Sequence, residues 1–232
     1  MKRYILLLFI FSVVLTFPVF SVDIKLEMKV GSTYRYSFST DCHRDLYFAE
    51  NIERTNSQAT DSIEIRPVAF KKGIYVIDIK TNQIVRRRFV SQSAGIIHAF
   101  CEDESILPLI FSLPEESWEV GKIKKAEKKF NLGNFPISLF WEGVLSHYDD
   151  KSRVSTIKLS GKAELPSDKV LLRKLVAKGS LQFDHQKGTF ISGDWTVDYG
   201  LAFANKEIAV TRTLWKWRET WKTSFQLSDI KP

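Results

Sequence analysis

Residues 213–225 read TLWKWRETWKTSF, three tryptophans and a phenylalanine interleaved with Lys216, Arg218 and Lys222. From Thr211 to Leu227 the odd positions carry Trp215, Trp217, Glu219, Trp221 and Phe225, and the even positions carry Arg212, Leu214, Lys216, Arg218 and Lys222. A helix would leave Trp215 among the charges, whereas a strand sorts the two sets onto opposite faces. Each buried tryptophan removes about 150 to 250 Å² from water, worth at most about 4 to 6 kcal/mol. The stretch therefore predicts a strand with Trp215, Trp217 and Trp221 on the concave core face of a sheet and the basic residues in solvent. Glu219 breaks the apolar row, and a carboxylate there needs water, a ligand or a basic partner. These four residues are the candidate ligand-binding set.

The same period of two recurs along the chain. Tyr34, Tyr36 and Phe38 share a face in TYRYSF, Ile63 and Ile65 alternate with charge, and IYVIDI (74–79) follows a turn at Lys71, Lys72 and Gly73. Pro67 predicts a bulge or an edge, because it donates no ladder hydrogen bond. Trp141–Tyr148 and Arg153–Leu159 flank a turn over 149–152, and Asp184 to Gly188 turn the chain between Phe183 and Ile191. That turn accounts for Asp184 and predicts a solvent-exposed His185 at its tip. Ser167 and Asp168 suggest a short helical turn before a strand, and residues 105–114, with Pro108 and Pro114, suggest a buried connector. The pattern predicts an all-β protein with a strongly curved antiparallel sheet, an open barrel or two packed half-barrels, with a β-sandwich as the second choice. A Val-Gly step recurs ninety residues apart, in MKVGSTYRYSF (28–38) and WEVGKIKKAEK (118–128). It divides residues 22–232 into one β-rich domain of two similar halves, 22–112 and 113–232.

The chain opens MKRYILLLFIFSVVLTFPVFSVD, two basic residues ahead of an apolar run from Tyr4 to Phe20, interrupted only by Ser12, Thr16 and Pro18. This is the form of a signal peptide, residues 1–21, with Val19 and Ser21 as the small residues before cleavage after Ser21. The expected location is exported, periplasmic or secreted, with no membrane span after signal cleavage, since no later run approaches the roughly 20 apolar residues a helix needs. The formal charge is 34 − 27 = +7, and loss of Lys2 and Arg3 leaves +5. An exported chain with this modest excess does not point to nucleic acid. Its densest basic clusters are Lys122, Lys124, Lys125, Lys128 and Lys129, and Arg86 to Arg88. They suit anionic glycans or lipid head groups, or else the edges of a sheet, where charge blocks aggregation. In an oxidising compartment Cys42 and Cys101 are a candidate disulfide, closing a loop of 101 − 42 = 59 residues worth about 4 kcal/mol on the chain-entropy model. Two thiols, or a poorly spaced zinc site with His43 and His98, are the alternatives.

Catalytic signatures are absent from the sequence. It has no G-x-S-x-G, no glycine-rich phosphate loop and no H-E-x-x-H. Ser155 and Lys158 form S-x-x-K on an alternating strand, where the two point to opposite faces. Glu102, Asp103 and Glu104 lack the spacing of a calcium loop. No cofactor and no metal are expected. The second half resembles uncharacterised exported β-rich proteins of bacteria. Gly179, Phe183, Asp184 and Gly188 match their Gly-x-x-x-Phe-Asp-x-x-x-Gly hairpin, while Trp118 stands before the Val-Gly step rather than after it. The resemblance implies a curved antiparallel sheet and no activity. The expected function is therefore that of a non-enzymatic envelope protein binding an apolar or amphipathic ligand, lipid-like or glycan, or another envelope component. The alternative is a polysaccharide-active hydrolase with paired carboxylates. No feature of the sequence sets the oligomeric state.

Overall fold

A computed structural model describes residues 21–48, 51–81, 84–92, 117–132, 135–164, 171–203 and 214–232. Every regular element among them is a strand: β1 (Ser21–Val22), β2 (Thr33–Phe48), β3 (Asn51–Lys71), β4 (Ile74–Thr81), β5 (Ile84–Ser91), β6 (Trp118–Glu119), β7 (Ile123–Leu132), β8 (Phe135–Asp149), β9 (Val154–Glu164), β10 (Leu171–Asp184), β11 (Thr189–Phe203) and β12 (Leu214–Lys231). β1 pairs with β6, and the other ten form one antiparallel sheet in the order β5-β4-β3-β2-β12-β11-β10-β9-β8-β7. The first and last long strands thus meet in its middle, and all other neighbours are successive in the chain.

The N-terminal segment curls this sheet. Leu26 donates its N–H to Gln92 O at 2.7 Å, just beyond edge strand β5, and Glu27 donates to Gly188 O at 2.8 Å in the β10–β11 turn. β5 lies five or six strand spacings from that turn, about 24 to 29 Å in a flat sheet. Adjacent residues reach both only because the sheet bends round the segment. Residues 22–28 alternate accordingly: Ile24, Leu26 and Met28 are buried in the concavity, while Asp23, Lys25 and Glu27 face out. Burying each of the three apolar side chains contributes about 2 kcal/mol. Gly188 sits at φ +60°, and a Cβ there would lie 2.5 Å from Glu27 Cβ, so the strap and the turn require glycine at that position.

Further bending comes from pairs of aromatic residues and glycines on the concave face. Gly161 stands opposite Trp141, Gly179 opposite Trp195 and Gly193 opposite Phe225. The Phe225 ring takes the space that a side chain at Gly193 would fill, and at Gly179 the Trp195 backbone and Cβ come as close, as aromatic residues do across sheet glycines. Trp118, wholly buried, lies over Gly143 in the same way.

The Val-Gly steps make matching turns. Gly31 and Gly121 have φ of +92° and +81°. Gly31 N donates to Pro67 O and Gly121 N to Leu145 O, at 2.8 and 2.9 Å. Both acceptors border a bulge, between Pro67 and Ala69 and between Leu145 and His147. Pro67 is thus at a bulge within an interior strand. The basic clusters fall on the two edges, Arg86 to Arg88 on β5 and Lys124, Lys125, Lys128 and Lys129 on β7. Arg87 makes two hydrogen bonds to Asp78 across the strand pair, at 2.7 and 2.9 Å. This pairing holds the Asp78 carboxyl below its ordinary value.

One sequence expectation changes. The chain is already extended from Leu171, because its pairing with β11 starts there and the ladder overrides the helical spacing of Leu171, Leu172 and Leu175; Ser167 and Asp168 lie outside the described residues. So do the connector 105–114 and Cys101, and with Cys101 both the bridge to Cys42 and the zinc alternative.

A Cβ on Gly179 would lie 2.6 Å from both Asp194 O and Trp195 Cβ. Gly179→Ala is therefore expected to destabilise the protein by about 1 to 3 kcal/mol, the usual cost of overpacking, measured by urea unfolding. A change under about 0.5 kcal/mol would contradict the close approach of β11 to Gly179.

Candidate functional site

The concave face of β2 and β12 changes character along its length. Its cross-strand pairs run Phe38 with Phe225, Thr40 with Thr223, Cys42 with Trp221, Arg44 with Glu219 and Leu46 with Trp217. At the strap end Phe38 and Phe225 are buried, their rings stacked with centroids 5.6 Å apart. Further along, Thr40, Cys42, Trp221 and Trp217 are half-buried and Arg44 is exposed. The strap covers the first part of the strip; in the second part Thr223 and Glu219 are buried while Trp221, Trp217 and Arg44 keep contact with water.

Beneath the strap lies an apolar cleft walled by Leu26, Met28, Phe38, Ile63, Ile77 and Phe225, with no carboxylate in its lining. Its free space is about 30 Å³, room for about two waters. Tyr36 marks its polar corner, its hydroxyl within 2.9 Å of Thr189 Oγ1 and donating to Phe190 O at 3.1 Å. Burial pushes this phenol well above its ordinary range, against the opposing Thr189 hydrogen bond.

At the far end of the strip Glu219 is 2% exposed. A buried carboxylate costs several kcal/mol unless donors replace its water. Arg44 Nε bonds Oε1, and Trp221 Nε1 donates to Oε2 at 2.9 Å. The basic partner that Glu219 requires is thus Arg44, which the sequence reading did not single out. Trp217 and Trp221 share the concave face with Glu219, while Arg218 and Lys222 are exposed. A bulge sets Trp217 opposite Leu201 and Trp215 opposite Ala202, so the alternation slips at Lys216; the side chain of Trp215 lies outside the described residues.

His185 differs from expectation. It is half-buried rather than exposed at the turn tip, with Nε2 2.7 Å from Ser155 Oγ and its ring edge-on to Phe183 and Tyr148. Ser155 is completely buried, so no substrate reaches this pair, and Lys158 is exposed on the opposite face of β9. Asp184 accepts hydrogen bonds from the Gln186 and Lys187 N–H groups at 2.9 and 3.0 Å, as a turn-forming aspartate does. Among the described residues no group of three or more His, Cys, Asp or Glu side chains is placed to hold a metal.

No protein-family model and no curated protein matches this chain. Among solved structures, one concerned with lipid–protein interactions in lipovitellin is similar over 88% of the chain at 10% identity and a TM-score of 0.46; the chain spans about a quarter (26%) of that protein. The crystal structure of Ail, the attachment invasion locus protein of Yersinia pestis, aligns over 86% of this chain and 99% of its own at 5% identity and a TM-score of 0.19. Neither overlap amounts to a shared fold.

Burial, with Arg153 adding to it, holds His185 below its ordinary value of 6.5. The unfolded chain therefore binds a proton there before the folded one does. Stability from the neutral ring is complete above about pH 6.5 and is lost as the pH falls below it. The urea midpoint of the wild type is expected to drop between about pH 7.5 and about pH 5.5, and to drop less in His185→Gln. Equal drops in the two proteins would show that the histidine does not carry the effect.

Proposed function

We propose that this is a non-enzymatic, exported envelope protein that takes an apolar or amphipathic, lipid-like ligand onto the concave face of its sheet. The observation that carries this is the continuity of the strip on β2 and β12, from the buried Phe38 and Phe225 to the half-exposed Trp221 and Trp217. Large rings left half in water at the mouth of an apolar cleft are the usual composition of a ligand site. With about 30 Å³ free beneath the strap, the cleft is the floor of the site. A ligand occupies the open part, or goes deeper as the strap and rings shift. Hydrolysis by paired carboxylates finds less support, because the cleft lining has no carboxylate and Glu219 engages both its oxygens with Arg44 and Trp221. Export follows from Lys2, Arg3 and the apolar run, and the matched turns at Gly31 and Gly121 favour two similar halves within one domain.

Protein purified from its own host is expected to begin at Val22 and to release a lipid on organic extraction, identified by mass spectrometry. Extracts identical to a buffer blank, together with no binding of anilinonaphthalene sulfonate by the extracted protein, would overturn the ligand assignment.

A further inference from the structure

The polar end of the strip is more specific than its apolar floor. Arg44 is held through Nε alone, its side chain 46% exposed, and its two Nη groups have no partner among the described residues. The carboxylate that holds it is 2% exposed and is braced from the other side by the Trp221 indole. A guanidinium fixed at one edge presents its remaining N–H donors in a planar fork, the geometry that matches the oxygens of a carboxylate or phosphate. From Arg44 the same face runs past Cys42 and Trp221 and the hydrogen-bonded Thr40 and Thr223 to Phe38 and Phe225. Arg44 lies 44 − 38 = 6 positions from Phe38, about 20 Å along an extended strand, a span suited to a long hydrocarbon chain.

We infer that Arg44 anchors the head group of a single-chain anionic amphiphile, whose carboxylate or phosphate meets the Nη groups while its chain lies along β2 and β12 toward Phe38 and Phe225. This rests on the proposed apolar ligand and gives it a charge and a direction. Glu219 is a positioning residue, aiming the fork without touching the ligand. Because the Arg44–Glu219 pair is neutral as a whole, an anion without a chain gains little there. The chain supplies affinity and the fork supplies selectivity.

The test uses the full exported protein after organic extraction and four probes: palmitate, hexadecyl phosphate, hexadecanol and inorganic phosphate. Both long-chain anions are expected to bind about tenfold or more tightly than the alcohol, the worth of one charge-assisted contact, and inorganic phosphate is expected not to displace them. Arg44→Gln alone strands a buried carboxylate, so the variant is Arg44→Gln with Glu219→Gln, its fold checked by near-ultraviolet circular dichroism. It is expected to lose the preference for anions while keeping its affinity for hexadecanol. Equal binding of alcohol and anions by the wild type would overturn the anchor whether or not the variant folds, and so would an undiminished preference in the folded variant. Displacement by inorganic phosphate would overturn it in favour of a small-anion site. If no chain-bearing probe binds at all, the proposed ligand class itself fails.

Discussion

Two backbone hydrogen bonds from neighbouring residues, Leu26 to Gln92 and Glu27 to Gly188, impose the shape on which the rest of the molecule depends. They tie an edge strand to a turn several strands away, so the sheet curls and one face becomes an interior. Ile24, Leu26 and Met28 then fill that interior from the strap, and the tryptophans above glycines let the facing strands approach. The hydrogen bonds are individually worth about 1 kcal/mol. The apolar burial they direct is worth several times more.

The strap spans only one end of the concavity, and this limit creates the candidate site. Phe38 and Phe225 are the last residues of this strip that line the apolar cleft. Beyond them the face holds the hydroxyls of Thr40 and Thr223, then Trp221, then the Arg44–Glu219 pair. On the neighbouring strand, Asn51 to Thr60 are all exposed, and along that length β3 pairs, among the described residues, only with β2. This end of β3 is therefore a wall with water on both sides. A wall of that kind is stable only where its inner face is polar or where a ligand covers the apolar part.

Period-two spacing made the strands legible, since residues such as Tyr34, Tyr36, Ile63 and Ile65 must share a face to be buried at all. Local turn chemistry was legible too: Lys72 and Gly73 both take positive φ, and Asp184 caps its own turn. The pairing of β2 with β12 was not, because residues so far apart in the chain carry no local signal of contact. The bulge at Lys216 escaped for a related reason: it depends on the partner strand, and it ends the tryptophan alternation one residue early. Arg44 was legible in principle. In the alternation Phe38, Thr40, Cys42, Arg44 and Leu46 it is the one charge in an inward row, the same anomaly that drew notice to Glu219. Two opposite charges in two inward rows imply a pair once the strands are known to be neighbours. His185 was misplaced because a turn tip is ordinarily in solvent, whereas this turn folds back so that its ring meets Ser155 and Phe183.

The most direct test of the curl is a distance between the two places that the strap joins. Nitroxide labels at Gln92→Cys and Lys187→Cys, with Cys42 and Cys101 replaced by serine, would report it through dipolar broadening of the electron paramagnetic resonance spectrum. The strap fits between the two sites only if their backbones lie about two strand spacings apart, about 10 to 15 Å, and strong broadening is the result expected. A spectrum equal to the sum of the singly labelled proteins, as a separation of about 24 to 29 Å across a flat sheet would give, would contradict a sheet curled around its own N-terminal segment.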